Sequence, residues 1–377
     1  MKFTIQAADF AQALKAAQAV TDSRAVMPIY ECVRIDADRA GITITSGTSE
    51  QQLQMRVPAD VEDTGAVAVP LKTLYGYVSA LTEEVHVTLC ENGTMELAAG
   101  AMKSKIAVQE VDNYSILHVY SEPLLTADAN SFVGALSSVA FAAEYADKAV
   151  LQCVRVEVDQ GGNGLAVACD GRFLAKRNFS ANVIFEGDVE LNIPVQFVKP
   201  LCSVLQGQES LSLAIDKFTV CVTAGDRTFI FPQKAGTYID WKNGIVNKLH
   251  YDKVARIDVK GFANIVRFSN VSSKTNKNLL VTLTYDEEQQ SVYIASRGAV
   301  TEVDAATGID YNGETLSISF NINYLQRVID FFSDLGFEDM EVSMSGSTSI
   351  AMYHPVGGNS SGDFVMICPV RQPQVPA

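Results

Sequence analysis

Residues 31–38 read ECVRIDAD and residues 152–159 read QCVRVEVD. The two stretches are identical at Cys32/Cys153, Val33/Val154, Arg34/Arg155 and Asp38/Asp159, and conservatively exchanged at Ile35/Val156 and Asp36/Glu157. They lie roughly 120 residues apart, the size of a small domain. A repeat of that length implies a duplicated domain rather than a short solenoid unit.

A second stretch shows that the repeat occurs three times. VAVPLKTLYGYVSAL at 67–81 is followed by counterparts LNIPVQFVKPLCSVL at 191–205 and ISFNINYLQRVIDFF at 318–332. Each is a short strand, then Pro70, Pro194 or Asn321 at a helix entrance, then apolar residues at helical spacing. Pro200 falls inside the second helical pattern and is expected to kink or delay that helix. Alternating strands with turn residues follow each copy. Upstream, Phe10, Phe132 and Phe262 sit in matching helical patterns, each followed by strands: ECVRIDAD, QCVRVEVD and NLLVTLTYD. Every unit therefore reads strand, helix, strands, helix, strands. The expected fold is α+β: three similar domains over 1–118, 119–248 and 249–377, each with two helices on one face of antiparallel sheet.

Composition bounds the function. The chain has 377 residues and 47% hydrophobic content, enough for a core in each domain. No apolar run approaches the ~20 residues of a membrane span. The start, MKFTIQAADF, lacks the apolar segment of a signal peptide, so a soluble, cytoplasmic protein is expected. Seven cysteines form no CxxC pair and read as reduced, scattered thiols. Net charge is −15, which by itself argues against nucleic acid, because phosphate contact needs Lys and Arg. An acidic body can still carry a basic face.

Signals for catalysis are weak. His86, His118, His250 and His354 stand apart in sequence, without the spacing of a zinc site. GGNG at 161–164 lacks the Lys-Ser/Thr of a phosphate loop and reads as a turn. TSGTSE at 45–50 is no nucleophile elbow. DEE at 286–288 reads as a solvated turn, and the N-x-S/T matches at Asn92 and Asn359 gain no meaning without secretion. The expectation is a non-enzyme without cofactor or metal.

MKFTI at the start, SRAVMPIY at 23–30, CDGRFLA at 169–175, FNINYL at 320–325 and CPVR at 368–371, taken with the threefold repeat, resemble the bacterial DNA sliding clamp, the beta subunit of the replicative polymerase. The resemblance covers the whole chain. It implies a head-to-tail homodimer, a closed ring of six similar domains with helices lining the hole. The implied function is a processivity factor that encircles duplex DNA and tethers replicative polymerase and clamp loader. The alternative is a β-rich interaction scaffold that never encloses DNA. Twelve helices packed ~8–10 Å apart give a ring about 34 Å across between axes. Removing a helix thickness of ~10 Å leaves about 24 Å, room for a duplex roughly 20 Å wide.

A ring needs few cations, because escape requires an interface to open. Arg24 matches a DNA-contacting arginine of the family, and the helices place Lys15, Lys72, Lys199, Lys260, Arg267 and Arg327 as further candidates. The resemblance also implies a partner-peptide groove between the second and third domains. Its positions here are Leu151, Cys169, Gly171, Leu174, Asn321, Tyr324, Met366, Ile367, Pro369, Val370 and Arg371. Leu151, Leu174, Ile367 and Val370 would form an apolar pocket, and Asn321 and Arg371 would orient the peptide. The chain departs from the family pattern: Arg172-Phe173 replace a His-Arg pair, Ile239 and Asn243 replace a Pro and an Arg, and QPQVPA follows Arg371. For the dimer interface the resemblance points to Ile106 and Phe268, the latter expected at a helix end.

Overall fold

The computed structural model describes residues 1–21, 27–120, 122–276, 279–297, 302–358 and 362–371. One plan recurs three times. The first unit runs β1 (Lys2–Gln6), α1 (Ala7–Ala17), a 3-10 turn (Pro28–Glu31), β2 (Cys32–Asp38), β3 (Gly41–Gly47), β4 (Gln52–Val57), β5 (Asp60–Asp63), β6 (Gly65–Pro70), α2 (Leu71–Val78), β7 (Glu84–Leu89), β8 (Thr94–Ala99) and β9 (Met102–Ala107). The second runs β10 (Leu125–Asp128), α3 (Ala129–Val139), β11 (Cys153–Val158), β12 (Asn163–Cys169), β13 (Phe173–Val183), β14 (Val189–Pro194), α4 (Val195–Leu205), β15 (Ser210–Asp216), β16 (Thr219–Ala224) and β17 (Arg227–Pro232). A one-turn helix, α5 (Trp241–Gly244), lies in the connection to the third. That unit runs β18 (Lys253–Asp258), α6 (Val259–Asn276), β19 (Leu280–Asp286), β20 (Ser291–Arg297), β21 (Glu302–Asn312), β22 (Leu316–Asn321), α7 (Ile322–Asp334), β23 (Asp339–Met344), β24 (Ala351–Pro355) and β25 (Phe364–Ile367).

The repeated sequence signals have repeated structural jobs. Phe10, Phe132 and Phe262 are fully buried at equivalent places on α1, α3 and α6. Pro70, Pro194 and Asn321 are the N-cap residues of α2, α4 and α7. In β2 and β11 the shared Cys-Val pair is buried, while the shared arginine reaches along the strand to the acid two residues on. Arg34 meets Asp36 at 2.7 Å and Arg155 meets Glu157 at 3.1 Å. Residues two apart on a strand share a face, so Val33 and Ile35 pack into the main core on one side, while the ion pair lies on the other, beside the buried Cys32.

Two expectations need correction. α4 runs unbroken through Pro200. The bond that Pro200 cannot donate would have gone to the carbonyl of Gln196, an exposed residue whose backbone water can reach. Phe268 is not at a helix end, because α6 continues through Asn276.

Neighbouring units join by strand pairing, so their sheets are continuous. β4 of the first pairs antiparallel with β17 of the second, Gln52 opposite Ile230 and Met55 opposite Arg227. β13 of the second pairs in the same way with β25 of the third, Leu174 opposite Met366. The connection before β10 is fastened onto the first joint: Gln52 donates to Ser115 O at 2.6 Å, Gln54 donates to Leu117 O at 2.8 Å, and the buried Tyr114 hydroxyl donates to Thr45 O at 3.2 Å. Helices pack in pairs, α1 with α2, α3 with α4 and α6 with α7, and α3 also touches α7 across the second joint.

Candidate functional site

Two regions carry functional chemistry: the outward faces of the paired helices, and the seam between β13 and β25. Each helix buries one apolar stripe and leaves the other face to solvent. On α7 the stripe is Ile322, Leu325, Val328, Ile329 and Phe332; on α6 it is Val259, Phe262, Ala263 and Val266. The exposed faces present Lys15, Lys72, Lys199, Lys260 and Arg267. Arg327 is also exposed, but it pairs with Glu144 at 3.4 Å and stands 5.9 Å from the Phe141 ring, so part of its charge serves the contact between the second and third units. Arg24 lies outside the described residues.

The charge distribution is uneven. Across the six paired helices the sequence holds seven Lys or Arg and three Asp, with no Glu. The whole chain has 29 basic and 44 acidic residues. The helices therefore reverse the sign of the molecule.

At the seam, β12, β13 and β25 set Cys169, Leu174 and Met366 in one row, because Cys169 pairs with Leu174 and Leu174 with Met366. Directly opposed residues share a face of the sheet. Beneath this row is an apolar cluster drawn from both units and from the connection between them, including Leu151, Val167, Tyr238, Trp241, Val246 and Phe364. A small cavity of about 50 Å³ opens above it, lined by Cys169, Gly171, Arg172, Phe173, Leu174, Ile245, Ile350, Met366 and Cys368. Gly171 holds a φ of 90°, which a side chain would strain, and so turns the chain tightly at the cavity mouth. Burial pushes the Cys169 and Cys368 thiols up from their ordinary values and keeps them protonated.

The structure thus brings together four of the expected groove residues, Cys169, Gly171, Leu174 and Met366, around the cavity, with Leu151 beneath. Tyr324 adjoins them through Phe173, ring to ring at 4.6 Å. Pro369, Val370 and Arg371 continue past β25, with Val370 and Arg371 exposed. Two assignments change. Ile367 does not line the pocket, because its side chain is fully buried in the main core. Asn321 uses its side-chain oxygen to cap α7, accepting from Asn323 N at 3.0 Å. Phe173, Ile245, Ile350 and Cys368 were not foreseen. Phe173 and Cys368 adjoin named motif residues, and Ile245 belongs to an apolar run around Trp241 that sequence reading could have flagged. The tail 372–377 lies outside the described residues.

Ile106 also changes role. It lies in β9, but its side chain is buried in its own unit's core. The exposed apolar residues on that side of the first unit and on α6 are Met102, Phe268 and Val271.

His354 does not stand alone in space. Its Nε2 is 2.9 Å from Ser343 Oγ, and its Nδ1 is 3.7 Å from a Glu341 carboxylate oxygen. The order Ser-His-Glu is that of a hydrolytic triad, but Ser343 and His354 are both buried, and a nucleophile must reach its substrate. The arrangement ties β23 to β24.

Residues 1–118 match the family model of the DNA polymerase III beta subunit, N-terminal domain. The beta sliding clamp of Pseudomonas aeruginosa is 23% identical, with 97% of this chain and 99% of that protein aligned. That of Halalkalibacterium halodurans is 22% identical over 98% of this chain and all of the other. The crystal structure of the Bacillus subtilis DNA polymerase sliding clamp superposes with a TM-score of 0.91 at 20% identity, covering 99% of both chains. The DNA polymerase III beta subunit of P. aeruginosa gives 0.87 at 20% identity, covering 99% of this chain and all of the other. With its threefold unit and its match to that family over residues 1–118, this chain is similar from end to end to the bacterial DNA sliding clamps.

Proposed function

We propose that the chain is a non-catalytic processivity factor of DNA replication, acting in the cytoplasm. Two copies close head to tail into a ring around duplex DNA and tether replicative polymerase and clamp loader through the groove at the β13–β25 seam. The domains are 1–118, 119–248 and 249–377. The observation that carries this reading is the reversed charge of the paired helices: seven basic and three acidic residues in a chain of net charge −15. A helix-lined hole with a modest cationic excess holds the phosphate backbone loosely. The acidic remainder repels stray nucleic acid. Loose contact lets the ring slide, and closure prevents its loss.

The seam supports the tethering half. An apolar cavity flanked by Leu174 and Met366 accepts a side-chain anchor, and Arg172 in its lining favours a peptide with acidic or carboxyl groups. The test is retention on DNA of different topology. Protein loaded by a clamp loader onto a nicked circle is expected to stay through gel filtration and to leave once the circle is linearised. Equal retention on circular and linear DNA would overturn encirclement and favour a scaffold that binds without enclosing.

A further inference from the structure

A run of aromatic rings crosses the second joint, from an exposed helix cation to the turn at the cavity mouth. Arg327 on α7 holds its guanidinium 5.9 Å from the Phe141 ring and 3.4 Å from Glu144. Phe141 meets Phe173 edge-on with centroids 5.2 Å apart, and Phe173 meets Tyr324 at 4.6 Å. Phe141 and Glu144 belong to the 3-10 turn that follows α3 in the second unit. Tyr324 and Arg327 lie three residues apart on α7, and so on one face of that helix. The run thus leaves α7 at Arg327, passes through the second unit and returns to α7 at Tyr324.

Phe173 sits where the cavity is controlled. Its ring lies on the opposite face of β13 from Leu174, and its backbone belongs to the Gly171–Leu174 segment that forms one wall. Asp170 shapes that segment, accepting from Arg172 N at 2.7 Å and from Phe173 N at 2.8 Å. The cavity holds only about 50 Å³, against roughly 300–1,000 Å³ for sites that enclose small ligands. A side-chain anchor therefore enters only if a wall yields. Cys169 and Met366 on the other walls are fixed in the sheet ladder, whereas Gly171 and Arg172 lie in an exposed turn between strands. The turn is the wall that yields, and Phe173, held between Phe141 and Tyr324, pins it.

We infer that Arg327 couples the hole of the ring to the peptide seam: duplex in the hole loosens the pin on the turn and so strengthens peptide binding. This deepens the ring and groove readings above and rests on both. Arg327 has two alternatives for its charge. Without DNA it stays beside Glu144 and over Phe141, within the ~6 Å reach of a cation–π contact. A backbone phosphate in the hole offers a competing anion that arginine binds strongly. Drawn to phosphate, the guanidinium leaves the Phe141 ring, and Phe141 gains room to follow Phe173 when an anchor enters. Duplex binds this released form better and shifts the population toward it. The apparent peptide affinity scales with the fraction of molecules in that form. The coupling is reciprocal, so peptide raises the affinity for duplex by the same factor.

Peptide affinity in two states of the protein tests this. A fluorescent polymerase-derived peptide is titrated by anisotropy against free protein, and against protein loaded on a nicked circle and freed of loader by gel filtration. Wild type is expected to bind the peptide about fivefold or more tightly on the circle, the lower end of typical couplings. Arg327→Gln removes the brace at an exposed position. Its free form is expected to bind the peptide as wild type does on the circle, with no further gain from DNA. Lys199→Ala removes a helix cation outside this run and is expected to keep the wild-type ratio. Leu174→Ala is expected to weaken binding in both states alike. Equal wild-type affinities in the two states, or an Arg327→Gln variant that keeps the wild-type ratio, would overturn the coupling while the ring and groove readings stand. Wild type that leaves the nicked circle overturns the ring reading, and Leu174→Ala binding as tightly as wild type overturns the groove reading; the coupling falls with either.

Discussion

Phe173 stands edge-on to Tyr324, with ring centroids 4.6 Å apart, and so joins β13 of the second unit to α7 of the third. Phe141 meets the other side of Phe173 at 5.2 Å. Phe173 is buried in this aromatic run, and Leu174 beside it lines the cavity at the seam. The two neighbours point to opposite faces of one strand and do different work.

Leu174→Ala removes an apolar wall from the cavity. Truncating a central anchor of a peptide site typically costs more than 1 kcal/mol, about a fivefold loss of affinity. A polymerase-derived peptide is therefore expected to bind at least several-fold more weakly to Leu174→Ala by fluorescence anisotropy. Val370→Ala, at the exposed border, is expected to change little. Phe173→Ala should act chiefly on stability, lowering it by about 3 kcal/mol as buried aromatic truncations do. Leu174→Ala binding as tightly as wild type would remove the groove from this seam.

Lys176, on the same strand, has its side chain buried at the joint, where its ammonium donates to Gly362 O at 2.8 Å. Burial lowers its pKa to about 8 from an ordinary 10.5. The unfolded chain therefore binds more protons than the fold between those values, and stability attributable to this group rises with pH across that window. Wild type compared with Lys176→Met is expected to gain relative stability from pH 7 to pH 10 in urea titrations. A difference independent of pH would mean that the lysine is not forced toward its neutral form.

Much of the fold is legible in the sequence because it is said three times. Phe10, Phe132 and Phe262 mark the first helices and Pro70, Pro194 and Asn321 the entrances of the second, since burial and capping act on local patterns. The seam is less legible. Its floor combines Leu151, Trp241 and Met366 from three distant segments, and no local period relates them. Ile106 misled for a related reason. A residue on an edge strand can face the partner or its own core, and one position along the strand decides which.

The exposed helix cations should act additively and without sequence preference. Each phosphate that a cation no longer neutralises reduces the slope of log affinity against log salt by about 0.9. Measured with linear duplex, where closure plays no part, Lys72→Ala, Lys199→Ala and Arg267→Ala are each expected to flatten that slope by up to one such step. Arg327→Ala should do less, because Glu144 already offsets its charge. An unchanged slope in all three variants would place the DNA path elsewhere.

Phe268 and Val271 project from one side of α6, 61% and 68% exposed, one helical turn apart. Exposed apolar side chains that lie together are the usual mark of an interface. Full burial of a phenylalanine contributes about 1.5–3 kcal/mol. Phe268→Ala is therefore expected to raise the dimer dissociation constant about tenfold or more, since each 1.4 kcal/mol is tenfold. Lys260→Ala is the control: it lies on the same helix, eleven residues before Val271 and so about 16 Å away along the axis. It should leave the dimer intact while affecting DNA. Sedimentation velocity across a dilution series separates the two. A dimer constant unmoved by Phe268→Ala would mean that α6 does not reach the partner copy.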